Sequence, residues 1–325
     1  MAISQVKEQG AAVVHSEFAK DVLAGLKATP KKLPSKYFYD KKGDRLFQQI
    51  MEMPEYYLTN AEFEIFENHR QDILQVFGKQ HFDLFELGAG DGTKTKILLQ
   101  HFLQQKADFH YRPIDISANV LRHLEEDLHK NLPDLNVKGL QGDYFEVLGK
   151  LSARNGARKV VLFLGANIGN LTLERSVAFL RHLKDSLSRG DLLMIGFDLK
   201  KDPEVILKAY NDPAGITAAF NLNLLRRINR ELDANFNLKA FKHWENYDPI
   251  TGATRSFIVS TKKQTVNLKA IDRTVHFEAW EAIDVELSQK YSLKEVEQLA
   301  GEAGFEVVRH FFDSQQFFVD SIWQV

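Results

Sequence analysis

The chain alternates short apolar runs with longer segments in which apolar residues recur every three or four positions. Residues 82–87 (FDLFEL), 159–166 (KVVLFLGA) and 191–199 (DLLMIGFDL) predict strands, whereas residues 93–105 and 173–187 have the helical period. The run VVLFLGA has no polar alternation, which indicates a central strand buried on both faces. This alternation of strand and helix predicts an α/β protein with a parallel sheet covered by helices.

The same reasoning extends the pattern on both sides. Residues 62–77 and 118–130 predict helices, and residues 109–117 and 137–144 predict strands. The helix at 62–77 precedes the first of the strands already identified, and the other three segments fall between the first and the second of them, as repeated β-α-β units require.

The last forty residues again show helix and strand patterns of this kind, after an intervening region of different character. Ser292 stands three residues before Glu295, which is a capping box at the start of a helix, and Gly304 is a stop signal at its end. Residues 305–313 and 315–325 then read as two strands separated by a very short connection, so we expect them to pair antiparallel.

Residues 200–286 have another character. They predict helices on either side of the break NDPAG (211–215), followed by strands at 240–247, 255–261 and 274–279. We expect this region to form a second, smaller α+β lobe.

We therefore expect two discontinuous domains. The first combines residues 61–199 with 287–325, and the second combines residues 1–60 with 200–286.

Composition limits the classes of function. The 325 residues are 44% hydrophobic and 26% charged, and the formal net charge of −2 with no long basic run argues against nucleic acid or an anionic membrane as the main partner. The absence of cysteine excludes disulfides, thiolate metal sites and a cysteine nucleophile. The first twenty residues lack a signal-peptide core, and the apolar runs are too short to span a bilayer. We expect a soluble cytoplasmic protein, with a monomer as the default.

A glycine-rich turn follows the first predicted strand of the sheet. Gly88, Gly90 and Gly92 occur in the sequence GAGDG, so the third glycine comes one residue earlier than in the dinucleotide motif. Asp91 lies inside the turn, where its charge is unfavourable for a pyrophosphate. The turn therefore predicts a ligand that the backbone approaches closely and that lacks phosphate.

Acidic residues follow three successive strands. Glu86 precedes the turn, Asp115 ends the second predicted strand and Asp143 ends the third, so all three are expected at the carboxyl edge of the sheet. S-adenosylmethionine (SAM) fits this pattern: Glu86 and Asp91 face its cationic amino-acid end, Asp115 its ribose and Asp143 its adenine amino group. The structural alternatives are that Glu86 is a solvated strand end and Asp143 a helix cap.

Several stretches outside this turn are more distinctive. Together with the stretch that contains the turn, they are KKLPSKYFYDKKGDRLF, MPEYYLTNAE, FELGAGDGTKTKILL, YRPIDIS, VVLFLGANIGNLT, AYNDPAGITAAFNLNLLRRINREL and VELSQKYS. In these stretches, and along nearly its whole length, the chain resembles the L-histidine Nα-methyltransferases of ergothioneine biosynthesis. The resemblance implies a class I Rossmann-like SAM methyltransferase domain with a second, substrate-binding lobe.

The resemblance also implies a substrate site. Asn170 and Tyr210 would hold the substrate carboxylate, and Tyr39 would border the amine that receives the methyl groups. The residues implied around the substrate side chain are Tyr56, Glu286 and Ser288, of which Glu286 and Ser288 read the imidazole nitrogens. Tyr39 and Asn170 are the residues expected at the reacting amine.

The cofactor contacts implied by the resemblance lie in the segments already identified. Gly88, Lys94, Asp115 and Asp143 occupy family contact positions, and Glu86, Gly90 and Tyr144 are expected in the same site. Methyl transfer from a sulfonium is an in-line displacement that requires alignment and no covalent nucleophile or metal. No metal site is predicted.

The chain departs from the family at one place. Thr254-Arg255-Ser256 stands where the family has Ile-Glu-Met, so Ser256 replaces a methionine expected in the substrate pocket. Histidine is the favoured substrate, with trimethylhistidine (hercynine) as product. The alternatives are N-methylation of another amino acid, such as tryptophan, or of a derivative, a non-catalytic SAM- or amino-acid-binding member, and NAD-dependent oxidoreduction.

Overall fold

The computed structural model describes residues 16–152 and 157–325. The chain divides into two compact units, of which unit 1 contains residues up to Tyr57 and Lys201–Ser288, and unit 2 contains Leu58–Lys200 and Gln289–Val325. The domain limits expected from sequence differ from these by one to three residues (61 against 58, 199 against 200, 287 against 289). We predicted that the first twenty residues lack a signal-peptide core; most of these residues lie outside the described part of the chain.

The secondary structure of the described residues is numbered in chain order. The α-helices are α1 Glu17–Lys27, α2 Lys41–Met51, α3 Tyr57–Phe77, α4 Thr95–Gln104, α5 Ala118–Asn131, α6 Tyr144–Ser152, α7 Leu173–Asp185, α8 Pro203–Tyr210, α9 Ile216–Glu231 and α10 Leu293–Ala303. The strands are β1 Lys31–Lys32, β2 Phe82–Leu87, β3 Phe109–Asp115, β4 Leu140–Gln141, β5 Arg158–Phe163, β6 Leu192–Asp198, β7 Phe241–Asp248, β8 Ala253–Ser260, β9 Gln264–Leu268, β10 Arg273–Phe277, β11 Ala282–Gln289, β12 Glu306–Phe312 and β13 Phe318–Gln324. Short 3₁₀ turns occur at Ser35–Phe38, Asn167–Asn170, Leu238–Ala240 and Lys269–Ile271.

Unit 2 is built on a seven-stranded sheet with the order β12-β13-β6-β5-β2-β3-β4. The five strands from β6 to β4 are parallel, while β13 runs antiparallel to β6 and to β12. The side chains of β6 are buried along its whole length, as expected from the unbroken apolar run LLMIGF (192–197). The predicted Rossmann-like α/β fold with an antiparallel closing pair is confirmed.

Three helices of unit 2, α5, α7 and α10, begin at residues whose side chains cap them. The side chains of Ser117 and Thr172 accept hydrogen bonds from backbone N–H groups three residues ahead. At α10 the predicted capping box between Ser292 and Glu295 is present, and Gly304 ends the helix in the left-handed conformation with φ 83°.

One predicted strand is wrong in its extent. Residues 137–144 were expected to be a strand, but β4 contains only two residues and Tyr144 begins α6. The cause is Asp143, whose Oδ1 accepts hydrogen bonds from the N–H groups of Phe145 and Glu146 at 2.9 and 3.4 Å. Asp143 therefore does not end a strand; it caps a helix, the alternative recognised from the sequence.

Unit 1 contains a four-stranded sheet, β1-β11-β8-β7, and a separate antiparallel pair, β10-β9. The strands β7, β8 and β10 agree with prediction, whereas β9 was not predicted. The break NDPAG ends α8 and starts α9, because the carboxylate of Asp212 accepts the N–H groups of Ile216 and Thr217 at 2.8 Å each and Gly215 adopts φ 72°. The core of this unit includes Phe220, Leu224 and Phe277.

Within the residues that the structure describes, no helix combines the length and the apolar character needed to cross a bilayer.

Candidate active site

The carboxyl ends of three parallel strands of unit 2 are neighbours. Leu87 of β2 pairs with Ile114 of β3, and Asp115 pairs with Gln141 of β4. The next backbone bonds continue the arrangement, because Gly88 N–H donates to the Ile114 carbonyl at 3.0 Å and Gly142 N–H to the Asp115 carbonyl at 3.1 Å. The glycine turn and the two acidic segments are thus brought to one edge of the sheet.

The glycine turn requires glycine for two different reasons. Gly88 and Gly90 have φ values of 70° and 57°, in the left-handed region that side chains disfavour. A Cβ on Gly88 would lie 2.9 Å from the Tyr144 hydroxyl, whereas a Cβ on Gly90 would meet nothing within 4 Å. The backbone at Gly90 is therefore open to close approach by a ligand.

Glu86 is buried directly before this turn. Its two oxygens accept hydrogen bonds from Thr95 Oγ1 at 2.7 Å and from the Tyr111 hydroxyl at 2.5 Å. Burial raises the pKa of Glu86 to about 7, although both hydrogen bonds act in the opposite direction. Glu86 thus links the residue before the turn to α4 and β3. These two contacts were not part of the role that we predicted for Glu86, which was to face the cofactor.

Asp115, Asp143 and Tyr144 lie close together. One oxygen of Asp115 accepts Ser117 N–H at 2.8 Å, and one oxygen of Asp143 caps α6, so each carboxylate has a second oxygen for a ligand. Burial and then the charges of Asp115 and Asp143 raise the pKa of the Tyr144 phenol. The structure therefore gathers Gly88 and these three predicted residues at one place.

Lys94 is held by a residue that the sequence did not reveal. Its ammonium donates to Glu62 of α3, whose side chain is fully buried and whose other oxygen accepts Gly165 N–H at 2.7 Å. Although burial opposes the charged form, Glu62 raises the pKa of Lys94. Glu62 lies among ordinary charged residues of a helical segment, EFEIFENHR, and has no signal that separates it from a solvated face.

These contacts fit SAM. Lys94 is neutralised by Glu62 and is a poor phosphate clamp, while the open Gly90 backbone and the carboxylates of Asp115 and Asp143 suit a cationic ligand with a ribose. The residues present would therefore accommodate the cofactor that the sequence predicts.

Unit 1 arranges aromatic rings in series. The ring of Tyr39 lies 5.5 Å from Phe47, Phe47 lies 6.5 Å from Tyr56, and Tyr56 lies 6.3 Å from Tyr210, all edge to face. Tyr39 is 46% exposed and Tyr210 only 7%. The surrounding protein, and then the charge of Glu286, raise the pKa of Tyr39 despite this exposure, so Tyr39 is a neutral phenol near neutral pH.

Polar groups lie beside this aromatic series. The Tyr210 hydroxyl and Ser288 Oγ are 2.9 Å apart, and Ser256 Oγ donates to Glu286 Oε2 at 3.1 Å. Glu286 and Ser288 are two residues apart on β11, so their side chains share one face of the strand. Tyr39, Tyr56, Tyr210, Glu286 and Ser288 are thus brought together in unit 1 from four separate segments.

The backbone of Tyr210 is also held by a hydrogen bond. Asn221 Nδ2 donates to His243 Nδ1 at 2.9 Å, so the ring proton is on Nε2, which donates to the Tyr210 carbonyl at 3.0 Å. Burial lowers the pKa of His243, which keeps the ring neutral and this tautomer in place. His243 was missed, because a single histidine in an alternating strand carries no distinctive signal.

Asn170 belongs to unit 2 and is exposed at the end of the turn Asn167–Asn170. The turn is packed against the chain at its preceding residue, because a Cβ on Gly169 would lie 2.8 Å from the Gln289 carbonyl oxygen. The Thr172 side chain then caps α7. Asn170 is therefore fixed through the backbone of its turn.

Comparison with known proteins shows the family to which the chain belongs. The model of a family described as "Histidine-specific methyltransferase, SAM-dependent" matches residues 18–325. The Histidine N-alpha-methyltransferase of Mycolicibacterium smegmatis is 39% identical over 88% of this chain and 88% of its own, and that of Mycobacterium tuberculosis is 34% identical over 96% of each. Ergothioneine biosynthesis protein 1 of Schizosaccharomyces pombe is 30% identical over 85% of this chain and 36% of its own. The family predicted from the sequence motifs is confirmed.

Proposed function

We propose, since the chain belongs to the SAM-dependent, histidine-specific methyltransferases, that it converts L-histidine to Nα,Nα,Nα-trimethylhistidine in successive methyl transfers. SAM supplies an electrophilic methyl group on a sulfonium. The observation that supports histidine best is the polar set of unit 1, in which Glu286 and Ser288 share a strand face and Ser288 bonds to Tyr210. A role in ergothioneine biosynthesis is part of the same proposal.

The polar set matches a neutral imidazole. That ring has one N–H donor and one nitrogen acceptor. Glu286 would accept the N–H, and Ser288 would donate its hydroxyl proton to the other nitrogen. Ser288 can donate there only if Tyr210 donates to Ser288, because each hydroxyl has one proton and the two oxygens are 2.9 Å apart.

This direction of donation limits the role of Tyr210. If its proton points to Ser288, Tyr210 has no proton left for the substrate carboxylate, the role that the resemblance implied. Asn170, whose amide has two donors, then remains the predicted donor to the carboxylate. The opposite direction, from Ser288 to Tyr210 to the carboxylate, requires an imidazolium with two N–H groups. We propose the first arrangement, because it uses the neutral ring.

The reacting amine needs alignment and a free lone pair. An α-amine with a pKa near ~8 loses its proton without a strong base. The faces of Tyr39 and of Tyr56, two rings of the same aromatic series with Phe47 between them, would attract the developing quaternary ammonium by about 0.5–2 kcal/mol. The raised pKa of Tyr39 means that it acts as a neutral aromatic surface and hydrogen-bond donor.

A second candidate substrate is another amino acid, such as tryptophan, or a derivative. The observation that favours it is Ser256, which is 1% exposed and stands where the family methionine is expected. A serine leaves more room beside Glu286 than a methionine does.

The test is mass spectrometry of the product after incubation with SAM and each amino acid in turn. We expect histidine to gain three methyl groups and Glu286→Ala to lower kcat/KM for histidine about tenfold to a hundredfold, as for a lost hydrogen bond to a charged group. The control is Glu278→Ala, an exposed glutamate of unit 1.

Three outcomes separate the alternatives. Methylation of another amino acid but not histidine would overturn the substrate. Calorimetric SAM binding without turnover of any amino acid would identify a non-catalytic member. Nicotinamide binding in a fluorescence titration would indicate oxidoreduction instead.

A further inference from the structure

Four polar side chains occupy one face of the sheet of unit 2 where β2 and β3 begin. His81, Asp83, Asp108 and His110 alternate along the chain with Phe82 and Phe109, which are buried. Because side chains of a strand alternate between faces, residues 81 and 83 share a face, as do 108 and 110. Asp83 and His110 are register partners, which places the two pairs side by side.

The contacts confirm this grouping. His81 Nδ1 lies 2.8 Å from Asp108 Oδ1, and His110 Nδ1 lies 3.1 Å from Asp83 Oδ1. The two imidazole rings are 4.6 Å apart between centroids. A carboxylate only accepts, so without a metal ion each Nδ1 carries a proton when the ring is neutral, and an ion shared by His110 and Asp83 would displace the His110 proton to Nε2.

We propose that this edge binds a divalent transition-metal ion through His81, His110 and Asp83. Ring nitrogens of the two histidines and a carboxylate oxygen of Asp83 lie within 4.8 Å of one another. Within residues 16–152 and 157–325, this is the one group of three or more such side chains at that spacing.

The donor set selects the class of ion. Imidazole nitrogens with a carboxylate oxygen suit zinc, cobalt, nickel or copper, whereas calcium and magnesium prefer oxygen alone. A tetrahedral zinc with bonds of about 2.0–2.1 Å separates its ligand atoms by about 3.3–3.5 Å. The three atoms must therefore approach one another by up to about 1.5 Å, and side chains that are 31% (His81), 36% (His110) and 19% (Asp83) exposed can rotate by that amount.

Asp108 has a supporting position in this site. Its side chain is 74% exposed and holds the His81 ring through Nδ1. Metal-bound histidines commonly donate their other ring nitrogen to a carboxylate, which fixes the tautomer and the ring orientation. The ion would join the beginnings of β2 and β3, the two strands whose other ends carry Glu86 and Asp115.

This site does not depend on methyl transfer. Its residues lie at the opposite ends of β2 and β3 from the glycine turn, and the chain contains no cysteine that could bind zinc elsewhere. Failure of zinc binding would leave the methyltransferase proposal untouched, and the reverse also holds.

The test is calorimetric titration of untagged protein with zinc chloride. We expect one zinc per chain, and at least about tenfold weaker binding in His81→Ala and in His110→Ala. Cobalt(II) substitution gives a second readout, the visible absorption of a four-coordinate ion, which each variant should lose. His123→Ala is the matched control, because His123 is an exposed histidine of the same unit.

Zinc binding of unchanged stoichiometry and affinity in both histidine variants would overturn the proposal, as would no binding by the native protein. Melting temperatures in the presence of EDTA show whether each variant folds. If either alanine variant does not fold, Asp83→Asn, which keeps the side-chain shape, serves instead and should weaken zinc to the same degree.

Discussion

The two units hold their predicted site residues in different ways. In unit 2, the backbone places Gly88, Asp115 and Asp143: Asp115 ends a parallel strand, Gly88 and Asp143 come just after parallel strands, and the turns are joined by main-chain hydrogen bonds. In unit 1, side chains place one another, since Ser256 holds Glu286 and Ser288 bonds to Tyr210. A site fixed by the backbone should keep its geometry after most side-chain substitutions. A site fixed by side-chain contacts should change its geometry, and with it kcat/KM, when a single hydroxyl group is removed.

The largest expected effect tests Asn170, another residue of unit 2 that is placed by its backbone. Gly169→Ala would place a Cβ 2.8 Å from the Gln289 carbonyl oxygen and 3.3 Å from its nitrogen, and backbone atoms cannot swing aside. The turn ending at Asn170 would then shift. We expect kcat/KM to fall by about a hundredfold, as for a binding group misplaced by about an ångström.

Gly301→Ala is the matched control, since a Cβ there meets nothing within 4 Å and α10 favours alanine. Steady-state kinetics on histidine measures both variants. Native kcat/KM in a folded Gly169→Ala protein would show that Asn170 is not held by this backbone contact.

The fold of unit 2 could be predicted from the sequence because its signals are local. An apolar run, a glycine turn and a helical period follow each other within about thirty residues, and parallel pairing then fixes the edge. The exception is residues 137–144, where a capping side chain, Asp143, ended the strand early. Glu62 could not be predicted, because its contacts with Lys94 and Gly165 span 32 and 103 residues.

The next effect concerns pH and Glu86 in the cofactor-free protein. Its folded pKa of about 7 lies above the ordinary glutamate value of 4.5, so the folded state binds more protons than the unfolded state between these values. The free energy of unfolding therefore falls as pH rises from about 4.5 to 7. Glu86→Gln removes this slope, so its stability relative to the native protein should improve by about 2 kcal/mol between pH 5 and pH 8.

Urea unfolding followed by Trp323 fluorescence measures this difference. Trp323 is fully buried in unit 2, and replacing Trp244 and Trp280 of unit 1 by Phe leaves it as the single reporter of the three tryptophans. Glu126→Gln, at an exposed carboxyl of the same unit, is the control. A parallel pH dependence of Glu86→Gln and the native protein would refute the raised pKa.

A smaller effect tests the side-chain-fixed site. Tyr210→Phe and Ser288→Ala each remove one partner of a buried hydrogen bond, and the double variant removes both. We expect a coupling free energy of about 1 kcal/mol in kcat/KM for histidine. Additive effects would mean that the two hydroxyls act separately, and the proposed direction of donation would then be wrong.

The site of unit 1 was predicted by resemblance alone. Tyr39, Tyr56, Tyr210 and Glu286 lie in four segments spread over about 250 positions, and no local pattern relates them. His243 shows the same limit, since its tautomer follows from Asn221 and its function from the Tyr210 carbonyl. Such contacts arise only after the sheet and α9 have packed.

The smallest effect concerns Ser256, where we predicted from the sequence a departure from the family. Its hydroxyl donates to Glu286 at 3.1 Å, so Ser256→Ala should loosen Glu286 without removing its charge. We expect kcat/KM for histidine to fall two- to fivefold, equivalent to about 0.5–1 kcal/mol, and Ser256→Thr to restore it. Ser260→Ala is the control: Ser260 lies on the same strand, but its hydroxyl donates to the Lys262 carbonyl. If Ser256→Ala instead leaves histidine kinetics unchanged while Glu286→Ala impairs them, Glu286 is positioned by other contacts, and unit 1 depends on side-chain support less than its geometry indicates.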